Sequence, residues 1–516
     1  MDKIMEKAEC ILKKIISCRL LYYIAIMLLF AGTYYIELKQ KVESQNLGGG
    51  NHLTYFLICA AISGILVLLL TIFSKKLYEK IQLHIIYMIL ALIIGGMYVF
   101  IIPLCNQSDE PAHLYRTFQV ALGEVISPKT EYGFVGELPQ SVIEMVNVNS
   151  ETKKREYKKY YDLKEMMQIE LNEDETVEIG TVGNYHGISY LPQVVGVKIG
   201  MIFNLNPYFI AMLGRISSLI ITVLMLTWGI KKLPKHKLFA SIILLCPVVL
   251  STAACYSADN MTLASIFVMV SYVLYYMHTK EKIKKLDYAI LLVLIFIVSI
   301  SKMAYLPVIG ILIFIPKECF GNNSKKKWII SVAYILLGIL SFIWWIKVST
   351  INGQTLDPSN TNTWIYTNPL GYLVILFRNL ICNAYDYLEN MFAGHFLCHN
   401  QVTPYSIVPI TYIVISIIAF FSDENNEKTT MMQKLITFGV ILMSFLLICT
   451  AMYVYNTGFK NSVIVGVQGR YLIPLLLMTV IFANKKKIDI EEHKLTNIAL
   501  VANYAVYLAM MTTFFI

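Results

Sequence analysis

The 516-residue chain is poor in charge: Asp, Glu, Lys and Arg make up only 15% of it, against 57% hydrophobic residues. Its mean hydropathy is +0.60. So little polar surface cannot cover a soluble body of this length, and a bilayer must be the solvent for most of it. The ten cysteines include no C-x-x-C pair, which argues against a redox or zinc motif. Most, such as Cys59, Cys246 and Cys449, fall in apolar runs as small hydrophobes. Internal repeats are not visible either, whereas many secondary transporters carry two related halves. The first 18 residues, MDKIMEKAECILKKIISC, are charged and amphipathic and lack the apolar core and cleavage site of a secretory signal. They are expected to be retained, lying on the inner leaflet through Ile4, Ile11, Leu12 and Ile15.

What is present is a series of apolar runs, each of roughly the 20 residues that a helix needs to cross about 30 Å of hydrocarbon. They predict an all-α polytopic membrane protein with about thirteen helices in a single domain over 19–516. The expected spans are 19–37, 53–73, 82–104, 207–229, 238–255, 260–277, 287–301, 303–316, 328–347, 404–421, 435–455, 468–484 and 496–516. Those at 287 and 303 are short enough to form one broken hairpin.

The net charge of +9 does not indicate a nucleic-acid partner, because its lysines mark one side of a membrane. With a cytoplasmic N-terminus, Lys13, Lys14, Lys75, Lys76, Lys231, Lys232, Lys284, Lys285, Lys325 to Lys327 and Lys485 to Lys487 all face inside. The same threading puts an acidic loop, 105–205, a segment, 348–403, and the C-terminus outside. In the loop, Leu114, Phe118, Leu122 and Val125 recur at helical spacing behind Pro111 and predict a surface helix over 111–126. From about 129 to 185 the loop turns polar, KKREYKKYYD and then ELNEDETVE, and reads as a solvated flap or mobile cover. In the 348–403 segment, Trp364, Tyr366, Tyr372, Tyr385 and Tyr387 suit the outer interface. Cys382 and Cys398, in the same segment, are candidates for a disulfide.

Ionisable groups at an enclosed membrane face are expensive, so each is a candidate for function. Asp109, His113 and Arg116 fall at i, i+4 and i+7, on one helix face, with Glu110 beside them. A carboxylate there is favoured in its charged form by the amide dipoles, although Ser108 or Asp109 also suits a helix cap. Asp259 stands where the sixth helix begins, again at a cap position. Lys302 lies between two short apolar helices, and Arg470 begins the twelfth, where a guanidinium can either anchor the helix or grip a lipid phosphate. His395, Cys398 and His399 in GHFLCHN have metal-binding types but no partner site, and no metal site is expected. Threading brings Asp109, Asp259, Lys302 and Arg470 to one face. A carboxylate with cations there is what transfer from a lipid-phosphate donor requires, the acid taking the acceptor proton and the cations holding the phosphate.

Four segments, SDEPAHLYRTFQVALGE, YSADNMTLAS, SKMAYLPVIGILIFIP and QGRYLIPL, occur in order over about residues 100 to 480. Together they resemble a widespread bacterial family of multi-pass membrane proteins of unknown function. That family is similar in layout to the GT-C superfamily of glycosyltransferases. The resemblance implies a bacterial plasma-membrane enzyme that moves a sugar from a polyprenyl-phosphate donor to a cell-envelope glycan, with inversion. Asp109 would be the catalytic base, assisted by Glu110, and Lys302 and Arg470 would hold the donor phosphate with help from Arg215 or Arg378. His113, Arg116, His186 and Asp259 would contact sugar or acceptor. No cofactor is required, and a divalent cation is used by some members of the superfamily and not by others. The superfamily plan has two surface helices in the first external loop, of which one, 111–126, is legible here. A transporter or flippase of lipid-linked glycans and an envelope polysaccharide polymerase or ligase are the alternatives.

Overall fold

The computed structural model describes residues 20–44, 51–107, 109–131, 133–148, 163–349, 358–393, 402–422, 429–458, 461–483 and 488–514. The amphipathic N-terminal segment, the whole KKREYKKYYD run and the GHFLCHN segment with Cys398 lie outside these residues. The described chain is mostly helical. Its first three helices are α1 (Leu20–Ser44), α2 (His52–Lys80) and α3 (Leu83–Ile101). The loop that follows holds α4 (Glu110–Ala121), β1 (Phe134–Pro139), α5 (Gln140–Asn147), α6 (Leu163–Gln168), β2 (Thr176–Thr181) and α7 (Leu191–Ile202). The bundle continues through α8 (Pro207–Lys232), α9 (Lys237–Leu244), α10 (Pro247–Ala253), α11 (Asp259–Thr279) and α12 (Lys285–Ser301). After a 3₁₀ segment, Met303–Phe314, come α13 (Ser324–Ser349), α14 (Pro358–Thr367), α15 (Pro369–Phe392), α16 (Ile407–Ser422) and α17 (Met431–Met452). A 3₁₀ turn at Gly469–Leu472 leads into α18 (Ile473–Met478), and α19 (Glu492–Phe514) closes the described chain.

Among the described residues, eight helices are long and apolar enough to cross a membrane: α1, α2, α3, α8, α11, α13, α17 with its π-helical end, and α19. The expected number of thirteen is not reached, because several apolar runs fold into short or broken pieces. The run at 238–255 breaks before Pro247, which cannot donate a backbone hydrogen bond, into α9 and α10. The run at 303–316 contains Pro307 and winds as 3₁₀ helix, and 468–484 is α-helical only over α18.

α19 is the most buried of the eight and packs against α1, α2, α3 and α16. At its centre Asn503 donates to the Leu245 carbonyl, at the break between α9 and α10, and to the Tyr412 hydroxyl, while the Tyr98 hydroxyl donates back to its Oδ1. A polar network satisfied in this way supplies partners that lipid could not. α8 forms the other axis, packed against α3, α7 and α11.

The loop after α3 departs from expectation in three respects. Its helix spans Glu110–Ala121 and stops at Gly123, whose φ of +112° lies in the region open to glycine. Leu122 and Val125 are therefore outside it and exposed. Nearly every residue of α4 is buried, so it is a covered element and not a surface helix. The cover is the flap, which is docked: β1 and β2 pair antiparallel, the one sheet among the described residues of an otherwise helical chain. Gln119 on α4 donates to the Val135 carbonyl at 2.8 Å. The acidic stretch before β2 is exposed, as its composition predicted.

In the later segment, Tyr366 and Tyr385 are exposed, but Tyr372 and Tyr387 turn inward, the first donating to Thr450 and the second accepting from Asn379. Cys246 and Cys449 are buried as expected, and Cys382 is exposed.

Candidate functional site

The site is built on the turn between α3 and α4. Glu110, in the first turn of α4, is wholly buried, and its carboxylate meets Arg215 of α8. Arg215 Nε donates to Oε1 at 2.8 Å and Nη2 to Oε2 at 2.7 Å. Each oxygen takes a second bond from a backbone amide, Tyr256 to Oε1 and Gln107 to Oε2, both at 3.1 Å. Arg215 uses its remaining donors on the carbonyls of Ile102, at 2.6 Å, and Pro103, at 3.0 Å. This pair fastens the end of α3, the start of α4, α8 and the approach to α11. Glu110 presents no open oxygen and Arg215 no open donor, so neither fits the expected role of second acid or phosphate ligand.

Arg116 is also internal. It donates to Gln119 Oε1 at 2.8 Å, to the Glu124 carbonyl at 2.9 Å, and to the carbonyls of Val125 and Tyr185. Burial pushes its guanidinium down to about 10, leaving it charged at neutral pH. It thus stitches the end of α4 to the 184–190 segment and does not face a sugar. His186 also holds that segment: its Nδ1 accepts from the Ile188 amide at 3.1 Å, and its ring meets the Trp345 edge at 4.7 Å. Trp345 in turn donates to the Asn184 carbonyl.

Three residues far apart in sequence converge at the same end of the bundle. Asp259 opens α11, Lys302 follows α12, and Arg470 sits in the 3₁₀ turn before α18. Lys302 Nζ pairs directly with Asp259 Oδ1, and Arg470 Nε lies 3.2 Å from Oδ2. The Arg470 contact is an ion pair without a hydrogen bond, since the buried Nε makes none. The side chains of Asp259, Lys302 and Arg470 are 18%, 18% and 13% exposed. Lys302 Nζ also stands 4.1 Å from the centre of the Tyr471 ring, and the Tyr305 hydroxyl fixes the Tyr471 backbone with a 2.7 Å bond. Asp259 and Arg470 also line a small crevice with Thr222, Thr252, Asn260, Leu263, Ile473 and Pro474.

Asp109 stands at the edge of this cluster. It is exposed, occupies the left-handed region at φ 60°, and makes no side-chain cap bond, so only its backbone serves the helix. The position is one that Asp tolerates better than most residues. His113, one turn on, shares a 2.7 Å hydrogen bond between its Nδ1 and the Tyr190 hydroxyl. Burial above all pushes its imidazole down to about 4. Asp259 and Asp109 work against that shift, and Arg470 and Lys302 add to it, so one buried ring senses all four charges. Tyr185 lies in the same field, its hydroxyl pushed up by burial with Lys302, Asp259 and Arg470 acting on it.

Asp259, Lys302 and Arg470 are thus joined by contact, with Asp109 and His113 in their field. Arg378 is exposed on α15, and no ion pair or hydrogen bond among the described residues ties it to the cluster. His395, Cys398 and His399 lie outside the described residues. Among the described residues, no group of three or more His, Cys, Asp and Glu side chains converges as a metal site would require. Residues that sequence reasoning missed are Tyr185, Tyr190, Tyr305, Tyr471 and Asn260. All lie within or next to segments singled out for their charges, but one tyrosine among 34 carries no local mark of its position.

No curated protein and no solved structure matches the chain. A family model described as predicted membrane protein (DUF2142) matches residues 92–479, from within α3 to the end of α18, and so takes in every member of the cluster. The chain belongs to that family of membrane proteins.

Proposed function

We propose that the protein is a glycosyltransferase of the bacterial plasma membrane that moves a sugar from a polyprenyl-phosphate donor to a hydroxyl of a cell-envelope glycan at the outer face. The observation that supports this reading best is the pairing of an exposed carboxylate, Asp109, with a mostly buried cluster of one acid and two cations, Lys302 and Arg470. The acceptor hydroxyl attacks the anomeric carbon as its proton passes to Asp109. The bond from that carbon to the phosphate oxygen breaks, and the electron pair leaves with the polyprenyl phosphate. A single displacement inverts the anomeric centre.

Lys302 and Arg470 suit the departing group because its charge grows as the bond breaks, so their attraction is stronger in the transition state than in the ground state. Asp109 suits the base because solvent reaches it, whereas the oxygens of Glu110 are all engaged. His113 is neutral at pH 7 and contributes a polar edge without adding charge.

The test is sugar transfer by purified full-length protein from a polyprenyl-phosphate sugar to a glycan acceptor, compared with Asp109→Asn. Loss of transfer with folding retained supports the reading, and transfer at the normal rate by Asp109→Asn removes the base. Movement of the lipid between leaflets with its glycosidic bond intact would identify a flippase instead.

A further inference from the structure

α15 is amphipathic in the reverse sense of a helix on a soluble protein. Its buried face carries Tyr372, Leu376, Asn379 and Tyr387, of which Tyr372 donates to Thr450 of α17 and Asn379 donates to Tyr387. Its exposed side carries Leu370, Leu373, Val374, Phe377, Ile381 and Leu388. At about 100° per residue these side chains fall within an arc of roughly 100° and form a stripe about 27 Å long. Tyr385, Arg378 and Asp386, all exposed, follow in that order around the helix between the stripe and the buried face.

An exposed apolar stripe of this extent calls for a cover. Lipid is the cover that fits. α15 packs against α16, which itself bares Ile410, Val414 and Ile417. With 24 residues α15 is long enough, at about 36 Å, to cross a bilayer. Arg378, however, comes nine residues after Pro369, about 14 Å along the axis, and a spanning helix would hold this exposed guanidinium near the hydrocarbon centre. A helix lying flat keeps the stripe in the acyl chains and Arg378 and Asp386 among the headgroups. Tyr385 then falls at the boundary, where a tyrosine ring is at home.

The same helix carries the turn that presents Arg470. The Ile464 amide donates to Asn379 Oδ1 at 3.3 Å, and Gly469 sits so close to the backbone of Asn390 and Met391 that a Cβ would not fit. The stretch from Ile464 to Arg470 is thus held near both ends by α15, and from it Arg470 reaches Asp259. We infer that α15 is a lipid-docked helix lying in the plane of the membrane interface, and that this docking seats the Arg470 turn against Asp259. The partner is the lipid surface itself, acyl chains for the stripe and phosphate headgroups for Arg378.

The experiment uses the full-length protein in nanodiscs of phosphatidylethanolamine and phosphatidylglycerol. A nitroxide is attached through p-acetylphenylalanine, one position at a time, at Leu373, Phe377, Ile381, Asp386 and Leu388. Its relaxation by oxygen and by nickel ethylenediaminediacetate gives the depth of each. The labels on the stripe should share one depth, about 5–10 Å into the boundary of headgroups and acyl chains, with the label at Asp386 in water. A depth greatest at Ile381 and shallower toward Leu373 and Leu388 would mark a spanning helix and overturn the inference. Nickel access along the whole stripe, or exclusion of both relaxants by a covering protein, would overturn it equally. Hydrogen exchange tests the link to Arg470. Phe377→Asp combined with Ile381→Asp should strip protection from residues 464–472 as well as from α15, while α19 keeps its own. Loss confined to α15 would overturn the seating of the Arg470 turn. Should the two charges prevent folding, Ile381→Gln alone takes their place. Neither readout involves sugar transfer, so both outcomes are independent of the transferase reading.

Discussion

Arg215 and Glu110 face one another with two parallel hydrogen bonds, at 2.8 and 2.7 Å, and neither side chain is exposed. Removing one partner strands a charge that has no water to turn to. Glu110→Gln and Arg215→Met should each cost about 3–5 kcal/mol of stability, the range for breaking a buried ion pair. Arg215→Lys should recover little of it, because an ammonium cannot reproduce the fork that also reaches the Ile102 and Pro103 carbonyls. Thermal unfolding in detergent, followed by intrinsic fluorescence, measures all three.

Asp109→Asn should behave oppositely. The side chain is exposed and makes no cap bond, so the melting temperature should hold. Transfer should fall by about 10²–10⁴-fold, the contribution of a positioned general base. A parallel loss of stability and activity would mean that Asp109 is part of the scaffold.

Gly469 offers a test of Arg470 that leaves its charge in place. A Cβ at Gly469 would run into the backbone of Asn390 and Met391 at the end of α15, which cannot move aside as a flexible side chain can. Gly469→Ala should cost about 1–3 kcal/mol by overpacking. It should also raise KM for the lipid donor more than it lowers kcat, as Arg470 is displaced from Asp259. An unaltered KM would separate the turn from donor binding.

His113 and His186 are both held down to about 4 by burial, whereas in the unfolded chain each takes up its proton near 6.5. Between those values the unfolded state binds more protons than the folded state. The stability these residues contribute is therefore complete above about pH 6.5 and is lost as pH falls toward about 4. His113→Gln and His186→Gln should each flatten the fall of melting temperature across that window relative to wild type. Slopes identical to wild type would show that neither imidazole is protected from protonation.

Some of this was legible in local pattern. Lys302 was conspicuous as a cation between two apolar runs, and the lysine distribution put it on the same face as Asp259 and Arg470. Periodicity likewise announced α4, although Gly123 ends it earlier than the apolar spacing suggested. Other features were not legible. Asp109 and Glu110 are adjacent acids at the same turn, and nothing in the pattern says which one faces water. Arg116 was expected to contact a sugar and Arg215 to help hold the phosphate, and nothing local marked either as internal. The polar composition of 129–185 hid a two-stranded sheet that docks on α4 through Gln119.

The sequence by itself determined the solvent and the class, because hydropathy and helix length are local sums that no later packing can reverse. Counting helices between lysine patches led to the expectation that Asp259, Lys302 and Arg470 share a face, and their contacts bring them together there. Only the tertiary structure decided which of those charges are occupied. Glu110 was assigned to Arg215 by the approach of α8 to the α3–α4 turn, and Asp259 to Lys302 and Arg470 by the meeting of three segments separated by up to 211 residues. Pairing depends on distances of a few ångströms between side chains remote in the chain, and Coulomb attraction and hydrogen-bond geometry act at that range alone.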